Sequence, residues 1–222
     1  MLDEHQARAA TSEVARFFFA HGGCGKTRVF SLLKAASERR NLWPWLAIAV
    51  TLAAVTFQLH YQGRLWLCSC GRFFLWVGEA RSSDTSQHLL DPYSFTHVLH
   101  GVVFYWLLTL LAPRLWWPWQ LWLAVAVEAV WEVIENSDFV IQRYREAGVL
   151  GYFGDTIVNS LGDIAMCGFG FVLARYFGFV RSLALFVAVE GVLLFWIRDS
   201  LVLNVVMLIY PVERIEQWQA GY

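Results

Sequence analysis

Charge is what this sequence has least of. Only 16% of its 222 residues are Asp, Glu, Lys or Arg, where a soluble domain carries about 25%. Hydrophobic residues reach 58%, aromatics reach 17%, and mean hydropathy is +0.47. So few polar groups cannot cover the surface of a soluble fold, so a bilayer must act as part of the solvent. The same composition excludes disorder, collagen, a coiled coil and a disulfide-rich secreted domain. Basic excess is missing too. A net charge of −1 leaves nothing to neutralise phosphates, so no nucleic-acid partner is expected.

Other absences narrow the chemistry. The apolar runs do not pair into related halves, which argues against an inverted-repeat transporter. There is no Gly-x-Ser-x-Gly, no His-Glu-x-x-His and no Cys with a nearby helical His, so no nucleophile motif is available. Water activated by a carboxylate or a metal is the remaining agent for any reaction. A loosened phosphate-loop pattern, Ala20 to Thr27, sits in a segment of about forty residues. That is too short for a nucleotide fold, so it reads as a Gly-rich basic juxtamembrane stretch.

What is present is a series of apolar runs. A membrane-spanning helix needs about 20 mostly apolar residues. Five stretches qualify or nearly so: Trp43–Leu59, Phe95–Ala112, Trp117–Ile134, Asp155–Phe177 and Phe179–Ile197. A sixth run, Leu201–Tyr210, stops at Pro211 and suits a half or re-entrant helix, unless it continues through Ile215 and Trp218. The expected fold is an all-α polytopic bundle of five to six transmembrane helices over residues 42–222, with a connecting loop at 61–94. Residues 1–41 form a separate basic extension. Five positive charges fall between Lys26 and Arg40, and no cleavage site follows the first run. The N-terminus is therefore expected in the cytoplasm of a bacterial inner membrane.

Polar residues in or beside these runs are costly and therefore informative. Seven carboxylates qualify: Glu128, Glu132, Glu135, Asp155, Asp163, Glu190 and Asp199. Glu128, Glu132 and Glu135 are spaced i, i+4, i+7; Asp155, Asn159 and Asp163 are spaced i, i+4, i+8; His97 and His100 are spaced i, i+3. Each set occupies one helical face. Lipid cannot face any of these stripes, so they are expected to meet in one cleft at the extracytoplasmic end. Like charges held close need protonation or a cation, and carboxylates with imidazoles from facing helices are how bundles hold divalent metals.

The expected roles follow. Glu132, Glu135, Asp155 and His97 would activate water. His97, His100, Glu132, Glu135, Asp155 and Asp163 would hold a divalent metal. Arg198, Asp199, Asn159, His88 and Asp91 would contact substrate, Arg198 orienting an anionic headgroup and reaching Glu132, Glu135 or Asp155. The alternative is a buried network paired to Arg143, Arg145 and Arg198. His88 and Asp91 read as a lid or as solvated loop residues. Cys68 and Cys70 could bind copper, pair with each other, or bridge elsewhere.

The motifs also carry a resemblance. Ser86-Gln87-His88, Asp91-Pro92-Tyr93, His97-x-x-His100-Gly101, Cys68-x-Cys70-Gly71, Trp131-Glu132-x-x-Glu135-Asn136-Ser137, Gly154-Asp155-x-x-x-Asn159-Ser160-x-x-Asp163, Ile197-Arg198-Asp199 and Tyr210-Pro211 occur in this order. The chain so resembles domain-of-unknown-function family 2585, bacterial inner-membrane proteins, over roughly 42–220. It is more loosely similar to VanZ-like membrane proteins through Asp91, His97 or His100, Glu132, Glu135, Asp155 and Asn159. The first resemblance implies a location but no activity; the second implies envelope-related functions. The leading expectation is a metal- or carboxylate-dependent hydrolase or transferase acting on a lipid or envelope precursor. The alternative is a non-catalytic accessory or assembly subunit, with a proton-coupled carrier third. Membrane lipids and other membrane subunits are the expected partners.

Overall fold

The computed structural model describes the backbone of residues 26–146 and 152–221, with side chains from residue 42 onward. Apart from helical backbone beginning at Lys26, the expected extension 1–41 lies outside the described residues, as does most of the phosphate-loop-like run. The chain divides into two compact units, Met1–Trp43 and Pro44–Tyr222. The second unit holds every candidate site residue.

All regular structure among the described residues is helical: α1 Lys26–Tyr61, α2 Ser94–Leu111, α3 Trp117–Glu135, α4 Asp138–Glu146, α5 Ile157–Trp196, α6 Leu201–Ile209 and α7 Glu213–Ala220. Among the described residues, three stretches are long and apolar enough to cross a membrane: Leu42–Tyr61, Ser94–Leu111 and Ile157–Trp196. Helix α5 has 40 residues, about twice what a bilayer requires. It is broken at Gly178, whose φ of 71° and ψ of 177° lie in a region essentially reserved for glycine. The break separates 157–177 from 179–196, at the boundary expected between the fourth and fifth runs. The sixth run does not continue through Ile215 and Trp218. Tyr210 is extended, Pro211 cannot donate a helical hydrogen bond, and Glu213 starts a new helix.

Helix α5 organises the bundle. Its first limb lies against α2 so closely that side chains are excluded. A Cβ on Gly101 would overlap the Cys167 carbonyl and the Phe171 amide, and one on Gly170 would overlap the Val98 carbonyl. Small residues at such crossings let backbones touch, which is how helices gain dispersion energy where the solvent itself is apolar. The main core gathers Val55 and Leu59 of α1, Leu121, Ala124, Val125 and Ala129 of α3, and Ile157, Ile164 and Phe171 of α5.

The 61–94 loop is tied over the start of α5. The amides of Ile157 and Val158 donate to the carbonyls of Leu65 and Trp66, and the Thr156 amide donates to Ser86. Thr156 Oγ1 then accepts the Asn159 amide at 3.3 Å, a side-chain N-cap. These contacts set the end of the bundle where the polar residues collect.

A buried histidine–carboxylate cluster

The i, i+4, i+7 stripe of α3 points its glutamates at α2, and the close α2–α5 crossing brings Asp163 in from the other side. Glu128 is the hub. One of its oxygens pairs with Nδ1 of His97, and His100 Nδ1 lies 2.9 and 3.1 Å from its two oxygens. An ionised carboxylate only accepts, so both imidazoles present Nδ1–H to it and direct Nε2 elsewhere. His97 Nδ1 is also 3.6 Å from Glu132 Oε1, and its Nε2 is 3.8 Å from Asp163 Oδ2. Glu128 and Glu132 are both 0% exposed, while His100 and Glu135 are half-buried.

The cluster is rich in acceptors and short of donors. Both oxygens of Glu132 and Oδ1 of Asp163 are buried without a hydrogen-bond partner among the described residues. A buried carboxylate oxygen left unmatched costs several kcal/mol (roughly 1–3 per group, more when charged), so something must face these atoms. Arginine does not. Arg143 donates to the carbonyls of Leu208 and Ile209, and Arg145 donates to Tyr152 and sits over the Phe153 ring. Two triads could hold a metal ion, His97, His100 and Glu128 and also His97, Glu132 and Glu135, each with donor atoms within 4.8 Å of one another.

The sequence-based ligand set omits Glu128, although its i, i+4 spacing to Glu132 is the signal that places it there. Asp155 is buried, and both of its carboxylate oxygens accept hydrogen bonds. Its amide donates to Asn136 Oδ1 at 2.7 Å, and its carboxylate accepts from Asn136 Nδ2 at 2.9 Å and from the Tyr152 hydroxyl at 3.0 Å. Glu135 accepts from the Tyr144 hydroxyl at 2.9 Å, linking α3 to α4. Asn159 donates to the His88 carbonyl at 2.9 Å. His88 and Asp91 are 1% and 2% exposed, so they are not solvated loop residues. Asp91 accepts from the amides of Ser86 and Tyr93, shaping the turn into α2. Burial pushes its carboxyl above the usual range against the pull of those two amides.

Arg198 departs from expectation. It reaches none of Glu132, Glu135 or Asp155; its Nη1 donates to the Trp218 carbonyl at 3.1 Å from an exposed position. The reason is its left-handed backbone, φ 56°, which ends α5 and turns the side chain toward α7. Glu190 is likewise outside the cluster, accepting the Leu201 amide at the start of α6 at 2.9 Å. Cys68 and Cys70 are paired with each other.

Asp199 lies just beyond the end of α5. Burial pushes its carboxyl up to about 6, with Glu190 adding to the effect and the Ser200 amide and Tyr93 hydroxyl opposing it. Its folded pKa lies above its ordinary 3.8, so the fold binds the extra proton. Stability from this group is present below about pH 4 and is lost as pH rises through about 6. Asp199→Asn should therefore raise the detergent-solubilised Tm at pH 8 and leave it nearly unchanged at pH 4. An equal shift at both pH values would show that Asp199 titrates normally.

The family described as "Protein of unknown function (DUF2585)" matches residues 59–221. Among curated proteins, a UPF0314 protein of Paracoccus denitrificans is 44% identical over 183 residues, 82% of this chain and 95% of its own length. One from Brucella anthropi is 41% identical over 189 residues, 85% and 95%. One from Sphingopyxis alaskensis is 42% identical over 180 residues, 80% and 95%. No match supports the looser likeness to VanZ-like proteins, and no solved structure matches the chain.

Proposed function

The chain belongs to the DUF2585 family of proteins of unknown function, and on that premise we propose that it is a five-span bacterial inner-membrane protein whose histidine–carboxylate cluster binds a divalent metal ion. The observation that carries the proposal is Glu132. It is fully buried, and both of its oxygens lack partners among the described residues while facing His97. A cation is the species that satisfies several carboxylates at once in an apolar setting.

The five spans are the Leu42–Tyr61 part of α1, then α2, α3 and the two limbs of α5. Helix α3 has 19 residues and falls short on apolar composition because of Gln120 and its three glutamates, of which Gln120, Glu128 and Glu132 are buried within the bundle. Alternating spans put the start of α2, the end of α3 and the start of α5 on one membrane face. The basic segment before Leu42 argues that this face is extracytoplasmic.

A divalent ion here would supply a Lewis acid and an activated water for hydrolysis or group transfer. His97, through the Nε2 that its Nδ1–H pairing with Glu128 leaves free, would join Glu132 and Glu135 as its ligands. Glu128 takes the Nδ1 protons of His97 and His100 and so fixes ring tautomer and orientation, the usual office of a carboxylate behind a ligating imidazole. Asp155, Asn136 and Tyr152 hold the facing ends of α3 and α5 in register. A lipid or envelope precursor is the substrate class we infer from the apolar setting; an open apolar groove of ≈ 910 Å³ lined by Ile48, Leu52, Leu121, Leu161 and Phe169 among others suits acyl chains, although none of His97, Glu132 and Glu135 lines it. The competing reading, a non-catalytic accessory subunit, draws on the fully partnered Asp155 set, whose contacts are all architectural.

Metal content separates the two. Inductively coupled plasma mass spectrometry on the purified protein should find one divalent ion per chain. Glu132→Gln and His97→Ala should lose it, and the exposed Glu213→Gln should keep it. A wild-type protein that stays metal-free after supplementation would overturn the proposal.

A further inference from the structure

The 61–94 loop contains a second reactive constellation, apart from the metal-binding cluster. Cys68 and Cys70 form a disulfide, and both sulfurs lie within 4.8 Å of a ring nitrogen of His88 and a carboxylate oxygen of Asp84. The two sulfurs differ in access: Cys68 is 8% exposed, whereas Cys70 is exposed. They also differ in support. The Cys70 amide donates to Cys68 Sγ at 3.2 Å, which favours negative charge on that sulfur.

His88 decides what this cluster can do. Its Nδ1 accepts the Phe74 amide at 3.2 Å, so the neutral ring carries its proton on Nε2. That Nε2 is buried without a hydrogen-bond partner among the described residues, 3.8 Å from Asp84 Oδ1. A ring held in this tautomer has no lone pair free for a metal. It has a hydrogen-bond donor to offer.

We propose that Cys68–Cys70 is a thiol–disulfide exchange site that oxidises a dithiol, with Cys70 as the sulfur attacked, Cys68 as the leaving thiolate and His88 as the hydrogen-bond donor that stabilises it. A substrate thiolate attacks Cys70 Sγ in line with the sulfur–sulfur bond. The Cys68–Cys70 bond breaks, and its electron pair goes to Cys68 Sγ, whose thiolate the Cys70 amide and His88 Nε2–H stabilise by hydrogen bonding. The mixed disulfide on Cys70 is then resolved by the second thiolate of the substrate, releasing Cys70 as a thiolate. Two electrons pass from the dithiol to the chain, leaving Cys68 and Cys70 reduced and the substrate as a disulfide. Burial of Cys68 directs attack to Cys70, and the Phe74 amide fixes the imidazole through Nδ1.

The test uses full-length protein in detergent, with dithiothreitol as the small dithiol and a reduced Cys-x-x-Cys peptide as the protein-like one. Oxidised wild type should accept electrons from at least one of them. Faster reaction with the peptide would identify a protein dithiol as substrate, and faster reaction with dithiothreitol a small one. With the Cys68→Ser variant, Cys70 should form a mixed disulfide with glutathione disulfide at least tenfold faster than Cys68 does in Cys70→Ser. His88→Phe should slow reduction of the disulfide about tenfold or more at pH 8 while leaving the mixed-disulfide rate of Cys68→Ser unchanged. Equal reactivity of the two single-cysteine variants would overturn the proposal. So would unchanged reduction in His88→Phe, or free thiols at both positions in protein purified without reductant. None of these readouts depends on metal in the α2–α3–α5 cluster.

Discussion

Glu128→Leu should destabilise the bundle more than any other single side-chain replacement in the cluster. The glutamate is 0% exposed and is the only group that pairs with both His97 and His100 among the described residues. Leucine fills the space but leaves two Nδ1–H donors facing hydrocarbon. Removing one partner of a buried ionic set costs about 3–5 kcal/mol, because the cost of desolvating the remaining group is no longer offset. Glu128→Gln keeps an acceptor for one ring and should cost clearly less. Detergent-solubilised melting should rank wild type above Glu128→Gln and both well above Glu128→Leu. Near-equal melting of the two variants would mean that the histidines find other partners and that Glu128 is not the hub.

Gly170→Leu should be nearly as damaging, for a reason that has nothing to do with charge. The position faces the Val98 carbonyl with no room for a Cβ, and backbone cannot yield as a flexible side chain can. Overpacking typically costs about 1–3 kcal/mol, occasionally more, and here the α2–α5 axis distance itself would have to grow. That separation would also pull His97 away from Asp163. Gly191 supplies the control, since it is helical and a Cβ there meets nothing within 4 Å. Gly191→Leu should melt within about 1 kcal/mol of wild type, as surface replacements usually do. If Gly170→Leu behaves the same way, the close crossing of α2 and α5 is not a determinant of the fold.

Much of this was legible in the sequence because helical period and membrane cost act locally. The stripes on α2, α3 and α5 each needed burial away from lipid, and His97, Glu132 and Asp163 do come together. The Phe177/Phe179 boundary was visible because one apolar run was too long for a single crossing, although the conformation that breaks it belongs to Gly178 alone. Tertiary direction was not legible. Arg198 looked like a counter-ion because it is a cation beside a carboxylate-rich end, but a left-handed φ turns it toward Trp218. Spacing cannot report that. Asp155 looked like a ligand for the same reason; Asn136, one residue beyond the end of α3, pairs with both its amide and its carboxylate, contacts that spacing does not report. His88 and Asp91 sit in a polar stretch that reads as solvated; the backbone contacts that bury them join the loop to α5, far along the chain.

On the reading proposed above, the unmatched oxygens of Glu132 face a cation. Anomalous scattering from crystals of the metal-loaded protein tests this most directly, because it locates an ion without reference to activity. One peak is expected among His97, Glu132 and Glu135, with imidazole nitrogen and carboxylate oxygen ligands at about 2.0–2.2 Å. A well-ordered site showing no anomalous peak, with Glu132 hydrogen-bonded to water or to a protonated neighbour, would contradict it and leave the cluster as architecture.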